Sequence, residues 1–243
     1  MDHLSKLENE SIYIMREAFS SIKNMAMLWS LGKDSNVMVW IAFKAFFGKI
    51  PFPLVHVDTK KKFKEMYDFR DQYEKKWNLK LIKGNCPSID SIDSSLPPAA
   101  RSAARKTEGL KKIIKNYKFR AVVAGIRRDE QGTRAKERFF SPRDENGVWD
   151  IKNQPPEFWD QYHTNYPSNI HIRIHPLLSW TEKDIWRYIE REEIPVVSLY
   201  FSQNGKRYRS LGDKDITKPI LSKARNVKEI IKELEETKVS ERA

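Results

Sequence analysis

The stretch that decides the fold is residues 25–38, which read Met25-Ala26-Met27-Leu28-Trp29-Ser30-Leu31-Gly32-Lys33-Asp34-Ser35-Asn36-Val37-Met38. An apolar run of strand length ends at Ser30, and an apolar pattern of helical period begins directly after Ser35. The turn between them exposes backbone N–H groups, and the helix N-terminus adds a positive partial charge that favours an anion. The order strand, polar turn, helix therefore predicts a nucleotide phosphate site, although neither the Walker pattern nor G-x-G-x-x-G fits.

The residues of this loop, 30–35, suit an anionic ligand in several ways. Gly32 has no side chain, so the backbone can approach a ligand closely. Ser30 and Ser35 can donate hydroxyl hydrogen bonds, Lys33 supplies a full positive charge, and Asp34 suits a helix N-cap. The alternative interpretation is an ordinary strand-to-helix turn that contains Gly and Ser by chance.

Strands and helices alternate along the rest of the chain. Strands are expected at 25–30, 54–57, 79–82, 120–124 and 171–175. Helices are expected at 3–21, from the loop to Phe47, and at 62–77, 108–117, 181–191 and 226–238, with a loop at 84–105. This alternation predicts an α/β fold, a parallel twisted sheet with helices on both faces in a Rossmann-like arrangement. A nucleotide-binding domain is expected at 1–195, followed by a C-terminal segment, 196–243, that ends in a helix.

Polar motifs follow three of the expected strands, at 30–35, 58–59 and 125–130. The carboxyl ends of parallel strands meet at one edge of a sheet, and ligands bind there where the strand order reverses. We therefore expect the three motifs to form a single site.

Composition and charge narrow the function. The chain has 243 residues, a net charge of +12 and a single Cys. Residues 101–143 carry fourteen Lys or Arg and four Asp or Glu, which indicates a polyanion or a small, highly charged ligand. Lys111, Lys112 and Lys115 lie at helical spacing and are interpreted as a solvated helix face. A lone Cys excludes an internal disulfide, and the absence of an apolar run of about 18 residues and of a signal peptide leads us to expect a cytoplasmic protein.

Further motifs carry a resemblance to a known family. They are Pro51-Phe52-Pro53-Leu54-Val55-His56-Val57-Asp58-Thr59, Lys106-Thr107-Glu108-Gly109-Leu110, Gly125-Ile126-Arg127-Arg128-Asp129-Glu130, Trp149-Asp150-Ile151-Lys152-Asn153-Gln154-Pro155-Pro156-Glu157 and Pro176-Leu177-Leu178-Ser179-Trp180-Thr181-Glu182. With loop 30–35, they resemble in content and order the small, catalytic subunit of the two-component bacterial sulfate adenylyltransferase. That family is related to phosphoadenylylsulfate reductase and belongs to the adenine nucleotide alpha-hydrolase-like (PP-loop) superfamily. The resemblance runs from about Leu4 to the last residues, where Ser240-Glu241-Arg242 also fits.

The resemblance implies a role for each matching residue. Ser30, Leu31, Gly32, Lys33, Asp34 and Ser35 would hold the β and γ phosphates of ATP, and His56, Val57, Asp58, Thr59 and Gly125 would complete the nucleotide site. Lys33, Arg127 and Arg128 would be catalytic. The guanidinium groups of the two arginines would stabilise the charge that develops on the α-phosphate. The alternative for the Arg pair is surface ion pairing with Asp129 or Glu130. Arg134, Lys136 and Arg138 would bind the oxyanion acceptor or flank a mobile loop, and Asp34 is the candidate Mg²⁺ ligand.

The chain also departs from the family pattern. It has Asp58-Thr59-Lys60-Lys61-Lys62-Phe63 where the subunit usually reads Asp-Thr-Gly-Trp-Lys-Phe, and Leu211-Gly212-Asp213 where it usually reads Leu-Gly-Cys. The usual basic extension after Ser-Glu-Arg is not seen. These departures fall where an acceptor or a partner would bind.

Three functions are compatible with the sequence. The first is transfer of AMP from ATP to sulfate, with Mg²⁺ and, as the resemblance implies, a GTPase subunit. The second is the same activation of ATP for another acceptor, a carboxylate or carbonyl. The third is a basic nucleic-acid-binding module without catalysis, which would leave loop 30–35 and the Arg pair unexplained. ATP and an oxyanion or carboxylate are therefore the expected ligands, a homo-oligomer is compatible, and no membrane is expected.

Overall fold

The computed structural model describes residues 1–237, 239 and 241. Its helices are α1 (His3–Ser21), α2 (Lys33–Ala45), α3 (Lys64–Lys76), α4 (Pro98–Tyr117), α5 (Glu182–Arg191) and α6 (Val227–Glu236). Its strands are β1 (Met25–Leu28), β2 (Leu54–Asp58), β3 (Leu81–Asn85), β4 (Ala121–Val123), β5 (Phe140–Arg143), β6 (His171–Ile174), β7 (Lys206–Arg207) and β8 (Ile220–Leu221). Among these residues, no helix is both long and apolar enough to span a membrane.

One six-stranded sheet organises the fold, with the order β3-β2-β1-β4-β6-β5. β1 pairs in parallel with β2 and β4, β2 with β3, and β4 with β6, whereas β5 is antiparallel to β6. The predicted α/β fold is confirmed, with an antiparallel edge strand added. The chain turns back between β1 and β4, so their carboxyl ends form a topological switch point.

Helices cover both faces of the sheet because its central strands are apolar on both sides. On one face, Ala26, Val55 and Val122 pack with Ile113 and Phe119, a small core beneath α4. The opposite face contributes to the main core, which is continuous with buried residues of α1, α2 and α5. Parallel strands buried on both faces have this apolar character.

Two parts of the expected element pattern are wrong. The loop expected at 84–105 ends early, because α4 begins at Pro98. Proline is tolerated in the first turn of a helix, where its missing N–H has no intrahelical partner, and the Ala-rich residues that follow favour helix. β5 was not expected at all; it contains Pro142, and proline is accommodated there because β5 is an edge strand.

A single buried carboxylate, Asp213, ties the C-terminal segment to the sheet. Its Oδ1 accepts a hydrogen bond from Thr59 Oγ1 at 2.6 Å and lies 2.9 Å from Lys62 Nζ. Its Oδ2 accepts a hydrogen bond from Ser102 Oγ at 2.5 Å and lies 3.2 Å from Lys106 Nζ. Burial alone would raise the pKa of Asp213, but the attraction of Lys62 and the hydrogen bonds from Ser102 and Thr59 hold it well below its usual range.

Asp213→Asn should destabilise the protein, because it removes the charge that two lysines face. We expect the free energy of unfolding at pH 7, measured by urea denaturation, to fall by about 3 kcal/mol. The folded pKa lies below the unfolded value of about 3.9, so this contribution is present at neutral pH and is lost as pH falls through the folded pKa. The difference in the free energy of unfolding between wild type and Asp213→Asn should therefore become smaller as the pH is lowered.

The matched control is Asp215→Asn, whose carboxylate is 49% exposed beside Lys61. An exposed pair contributes about 1 kcal/mol or less, so this change should be nearly silent. Equal losses in the two variants, or a gap that widens in acid, would contradict the interpretation of Asp213.

Candidate active site

Two of the three predicted motifs meet at the switch point between β1 and β4, and the third, residues 58–59, lies at the end of the neighbouring strand β2. Loop 30–35 follows β1, and α2 begins inside it at Lys33, with Gly32 as the N-cap residue. Residues 125–130 follow β4 directly. A Cβ atom on Gly125 would lie 3.5 Å from Asp34 Cβ and 3.4 Å from Met38 Cε, so glycine lets the end of β4 rest against the first turn of α2.

Internal hydrogen bonds hold loop 30–35 in place. Ser35 Oγ donates to the Gly32 carbonyl at 2.9 Å, and Ser30 Oγ lies 3.2 Å from Ser35 Oγ. Leu31 is fully buried and has a φ of 70°, a left-handed conformation that costs a non-glycine residue about 1–2 kcal/mol. Backbone strain of this kind persists only where surrounding structure over-determines it, as it does here.

Tyr200 completes the loop and was not anticipated from the sequence. Its hydroxyl accepts the backbone N–H of Lys33 at 2.9 Å, and burial raises the pKa of that hydroxyl. The two residues are 167 positions apart, so no local pattern could have indicated the contact.

Two buried cations, Lys33 and Arg127, lie side by side at the start of α2. Each side chain is only 1% exposed. Lys33 Nζ is 3.4 Å from Asp34 Oδ2, and the Arg127 guanidinium contacts the same carboxylate. Arg127 Nε also donates to Asp129 Oδ1 at 2.8 Å. The predicted ion pair with Asp129 is therefore present, but it is made by a buried guanidinium and not by a surface one.

A glutamate from the end of the chain lies between these cations. Glu241 Oε1 is 2.5 Å from Lys33 Nζ, and Glu241 Oε2 accepts from Arg127 at 2.6 Å. Burial would raise the pKa of Glu241, but the attraction of Lys33 and Arg127 lowers it to about 2. The carboxylate is thus an anion already bound in this position. Ser240 and Arg242, the rest of the Ser-Glu-Arg motif, lie outside the described residues.

Asp129 connects the cations to α5. Its Oδ2 accepts the backbone N–H of Glu182, the first residue of that helix, at 2.7 Å. Glu182 Oε1 in turn lies 4.0 Å from Lys33 Nζ, and Glu182 Oε2 accepts from Arg209 at 2.7 Å. The buried cations are therefore surrounded by carboxylates from four parts of the chain.

Arg128 lies apart from this cluster. The backbone of Arg127 is extended, with φ −120° and ψ 149°, so consecutive side chains point to opposite sides. The Arg128 guanidinium lies 5.4 Å from the centre of the Phe139 ring and donates to the Glu137 carbonyl at 3.2 Å. The structure brings Arg127 to loop 30–35 and leaves Arg128 beside Phe139, so a catalytic role for Arg128 stays a prediction.

A cavity of about 670 Å³ opens next to the loop, a volume within the range of ordinary ligand sites. It is lined by Leu28, Trp29, Ser30, Val55, His56, Val57, Lys62, Ala99, Ser102, Ala103, Lys106, Thr107, Leu110, Arg173, Ser210, Leu211, Gly212, Ile216, Thr217 and Lys218. Of the residues expected around the nucleotide, Ser30, His56 and Val57 line it. Asp58 and Thr59 are buried behind the wall.

Asp58 and Thr59, which lie behind the cavity wall, are hydrogen-bonded to other protein groups. Asp58 Oδ1 accepts from the Lys60 backbone N–H at 2.7 Å and from the Tyr67 hydroxyl at 2.8 Å. Thr59 donates to Asp213. His56 Nδ1 lies 3.0 Å from the Trp29 carbonyl oxygen, and burial lowers its pKa to about 4. His56 is therefore neutral at pH 7.

The second basic set is dispersed. Lys136 is exposed, and Arg138 Nε donates to the Pro155 carbonyl at 3.4 Å. Arg134 alone turns inward, with NH1 3.7 Å from Glu137 Oε2.

The described residues contain no group of three or more His, Cys, Asp or Glu side chains that could hold a metal ion. Burial raises the pKa of the lone thiol, Cys86, which makes it a poor nucleophile.

Comparisons with known proteins agree with this geometry. Residues 24–219 match the phosphoadenosine phosphosulfate reductase domain family. The protein named sulfate adenylyltransferase subunit 2 from Sulfurimonas denitrificans is 42% identical over 277 residues, covering 100% of this chain and 91% of that protein. The protein of the same name from Buchnera aphidicola is 43% identical over 275 residues, covering 99% of this chain and 90% of that protein.

Solved structures show the same fold at low sequence identity. Candida glabrata FMN adenylyltransferase, in complex with FAD and inorganic pyrophosphate, superposes with a TM-score of 0.61 at 18% identity, covering 89% of this chain and 65% of that one. Phosphoadenylyl-sulfate reductase from Candida auris, a phosphate complex, has a TM-score of 0.58 at 17% identity, covering 89% and 96%. The chain therefore belongs to the phosphoadenosine phosphosulfate reductase domain family, as a relative of the proteins named sulfate adenylyltransferase subunit 2.

Proposed function

We propose that this protein transfers the adenylyl group of ATP to sulfate, giving adenylyl sulfate and pyrophosphate. The observation that supports it best is the pair of buried cations, Lys33 and Arg127, which meet at Asp34 in the first turn of α2, within the loop whose Ser30 lines the cavity. The name of the 42% identical relative supports sulfate as the acceptor. Its designation as a subunit supports a partner chain, for which the family resemblance points to a GTPase, and we place the reaction in the cytoplasm.

The residues divide the work according to their positions. Loop 30–35 and Lys33 bind the β and γ phosphates, which leave as pyrophosphate. Arg127 stabilises the charge that grows on the phosphate oxygens during transfer. His56 and Val57 contact the nucleoside, while Asp58 and Thr59 act from behind by holding the wall of the cavity.

The chemistry needs no general base. One sulfate oxygen attacks the α-phosphorus, the bond from that phosphorus to the bridging oxygen breaks, and pyrophosphate takes the electron pair. Sulfate is fully ionised at neutral pH, so no proton has to be removed from the nucleophile. Catalysis then consists of positioning and charge stabilisation, which agrees with a site rich in cations whose histidine is neutral.

Mg²⁺ fits this site only as a companion of the triphosphate. Magnesium in nucleotide sites is usually held by one or two carboxylates together with phosphate oxygens. Asp34, 20% exposed at the first turn of α2, is the carboxylate that would supply this contact. When bound, the ion would neutralise phosphate charge.

Lys33→Ala should lower pyrophosphate release from Mg-ATP and sulfate by about 100-fold or more. The variant loses the positive charge of Lys33, which is held in position to stabilise the departing pyrophosphate. The control is Lys49→Ala, an exposed lysine just beyond the same helix, which should keep wild-type turnover. Thermal unfolding of both variants would verify that the fold is intact. Normal turnover in a folded Lys33→Ala protein would remove Lys33 from the site, and Arg128→Ala in the same assay tests the role predicted for that residue.

The product identifies the acceptor. Adenylyl sulfate, detected by mass, agrees with the proposal. AMP and pyrophosphate without adenylyl sulfate would keep α–β cleavage and favour the carboxylate or carbonyl alternative.

Glu241→Gln should tighten nucleotide binding. The Glu241 carboxylate is paired with Lys33 and Arg127, the same cations that are proposed to bind the phosphates. A neutral amide holds them less strongly, so the binding-competent population rises. We expect the Kd for α,β-methylene-ATP, measured by calorimetry, to fall by about five- to tenfold. Glu236→Gln, at the exposed end of α6, removes the same charge and should change nothing. An unchanged or weaker affinity in Glu241→Gln would show that the carboxylate does not compete with the nucleotide.

A further inference from the structure

Arg173 lies at the far end of the cavity from His56. It belongs to β6 and faces Val122 of β4 across the sheet, on the α4 side. Two strands, β1 and β4, separate β2 from β6. At about 4.8 Å per strand spacing, β2 and β6 are therefore ~14 Å apart across the sheet, and the register places His56 three residues nearer the carboxyl edge than Arg173. Both nevertheless line the same cavity, with Ser30 of the loop between them.

Arg173 has no protein acceptor within the part of the chain that the structure describes. No hydrogen bond or ion pair joins its side chain to these residues, and its Nε is buried without a partner. Burial, together with nearby Arg143 and Arg134, lowers the pKa of Arg173 to about 10, so it is still charged at neutral pH. A buried guanidinium Nε–H without an acceptor is costly unless something else accepts from it.

The neighbours of Arg173 increase its need for an anion. Arg143 is paired with Glu137 at 3.1 Å and with the Ser141 hydroxyl at 2.5 Å. Arg134 is 3.7 Å from the same Glu137 carboxylate, and its own Nε is also buried without a partner. Arg143 and Arg134 therefore share one carboxylate, and Arg173 lies near them without an acceptor of its own.

The two histidines of this region, His171 and His175, add no charge to it. Burial lowers the pKa of His171 to about 3 and that of His175 to about 4, so both are neutral. Glu137 itself is fully buried, accepts hydrogen bonds from the Ser141 hydroxyl and from Arg143, and has a pKa below its usual range although burial opposes this. The cluster, which consists of Arg134, Arg143, Arg173 and Glu137, thus carries three guanidinium groups and one carboxylate, an excess of two positive charges.

The geometry points to an acceptor subsite in which Arg173 and Arg134 bind a tetrahedral oxydianion of the sulfate class. The proposal rests on the proposed function for the order of ligands in the cavity: nucleoside at β2, leaving phosphates at β1 and α2, and acceptor at β6. A dianion neutralises the excess charge, whereas a carboxylate would leave one positive charge uncompensated. A planar guanidinium also suits an oxyanion because it can donate to two oxygens at once.

The test is a calorimetric titration of sodium sulfate into the chain already saturated with α,β-methylene-ATP, which keeps sulfate out of the phosphate positions. Arg173→Ala should raise the Kd for sulfate by at least about tenfold, the loss expected for a charged hydrogen bond. Its Kd for the nucleotide should stay within about twofold of wild type. Arg173→Lys keeps the positive charge but loses the two-pronged guanidinium, so its Kd for sulfate should lie between the values of wild type and Arg173→Ala.

Arg187→Ala is the control for net charge, since Arg187 is 46% exposed and pairs with Glu235 on the surface. It should bind sulfate as wild type does. Sodium acetate at matched ionic strength should give no saturable heat with any variant, because a monoanion does not satisfy the cluster.

The outcomes separate this proposal from the proposed function. Wild-type sulfate affinity in a folded Arg173→Ala protein, an equal loss of nucleotide affinity, or saturable acetate binding would each overturn the subsite. If the wild-type chain binds no nucleotide, the proposed function fails, and the same titration without nucleotide then decides the subsite from the Arg173→Ala difference. If wild type binds both ligands but releases no pyrophosphate, the subsite stands and the function falls.

Discussion

Two cations that are almost completely removed from water, Lys33 and Arg127, set the conditions for the rest of this end of the molecule. A buried charge is tolerated only when it is paired and hydrogen-bonded, so the surrounding chain has to supply anions. It does so from the first turn of α2 with Asp34, from the segment after β4 with Asp129, and from the end of the chain with Glu241. The start of α5 and the C-terminal segment are placed by these pairs as much as by apolar packing.

The charge balance changes along the cavity. Near the first turn of α2, cations and carboxylates are closely matched, and one of the carboxylates, Glu241, is the last described residue of the chain. Near β6, guanidinium groups outnumber carboxylates. The first region holds its charge internally and can exchange one anion for another, while the second depends on an anion from outside. In the proposed function, this difference in charge would order the two ligands, the nucleotide phosphates at α2 and the acceptor at β6.

Much of this architecture could be predicted from the sequence, because it is recorded in local periodicity. The apolar run before Ser30 and the helical pattern after Ser35 placed β1, α2 and the loop between them, and the same alternation predicted the parallel sheet. Pro98 misled the prediction, since the effect of a proline depends on where in an element it falls and not only on its presence. Loop 30–35 and Arg127 could be selected as candidates from the sequence because each lies in a short motif of adjacent polar residues.

Other parts of the site have no local signal. Tyr200 reaches the start of α2 across 167 residues, and Arg173 looks like any other strand residue until β5 and β6 bring it beside Arg143 and Arg134. Likewise, the adjacent residues Arg127 and Arg128 appear equivalent in sequence. An extended backbone turns them to opposite sides.

Asp213 has a consequence for how this chain can vary. Its carboxylate joins Thr59, Ser102, Lys62 and Lys106, which come from separate segments of the sequence. Residues that share one network do not change independently; the effect of replacing one depends on the others. A neutral residue at position 213, such as the cysteine of the usual family pattern, would leave Lys62 and Lys106 without this shared carboxylate, so the rest of the network would need different partners. Substitutions at these distant positions should therefore be inherited together, and a chimera that mixes them should be less stable than either parent.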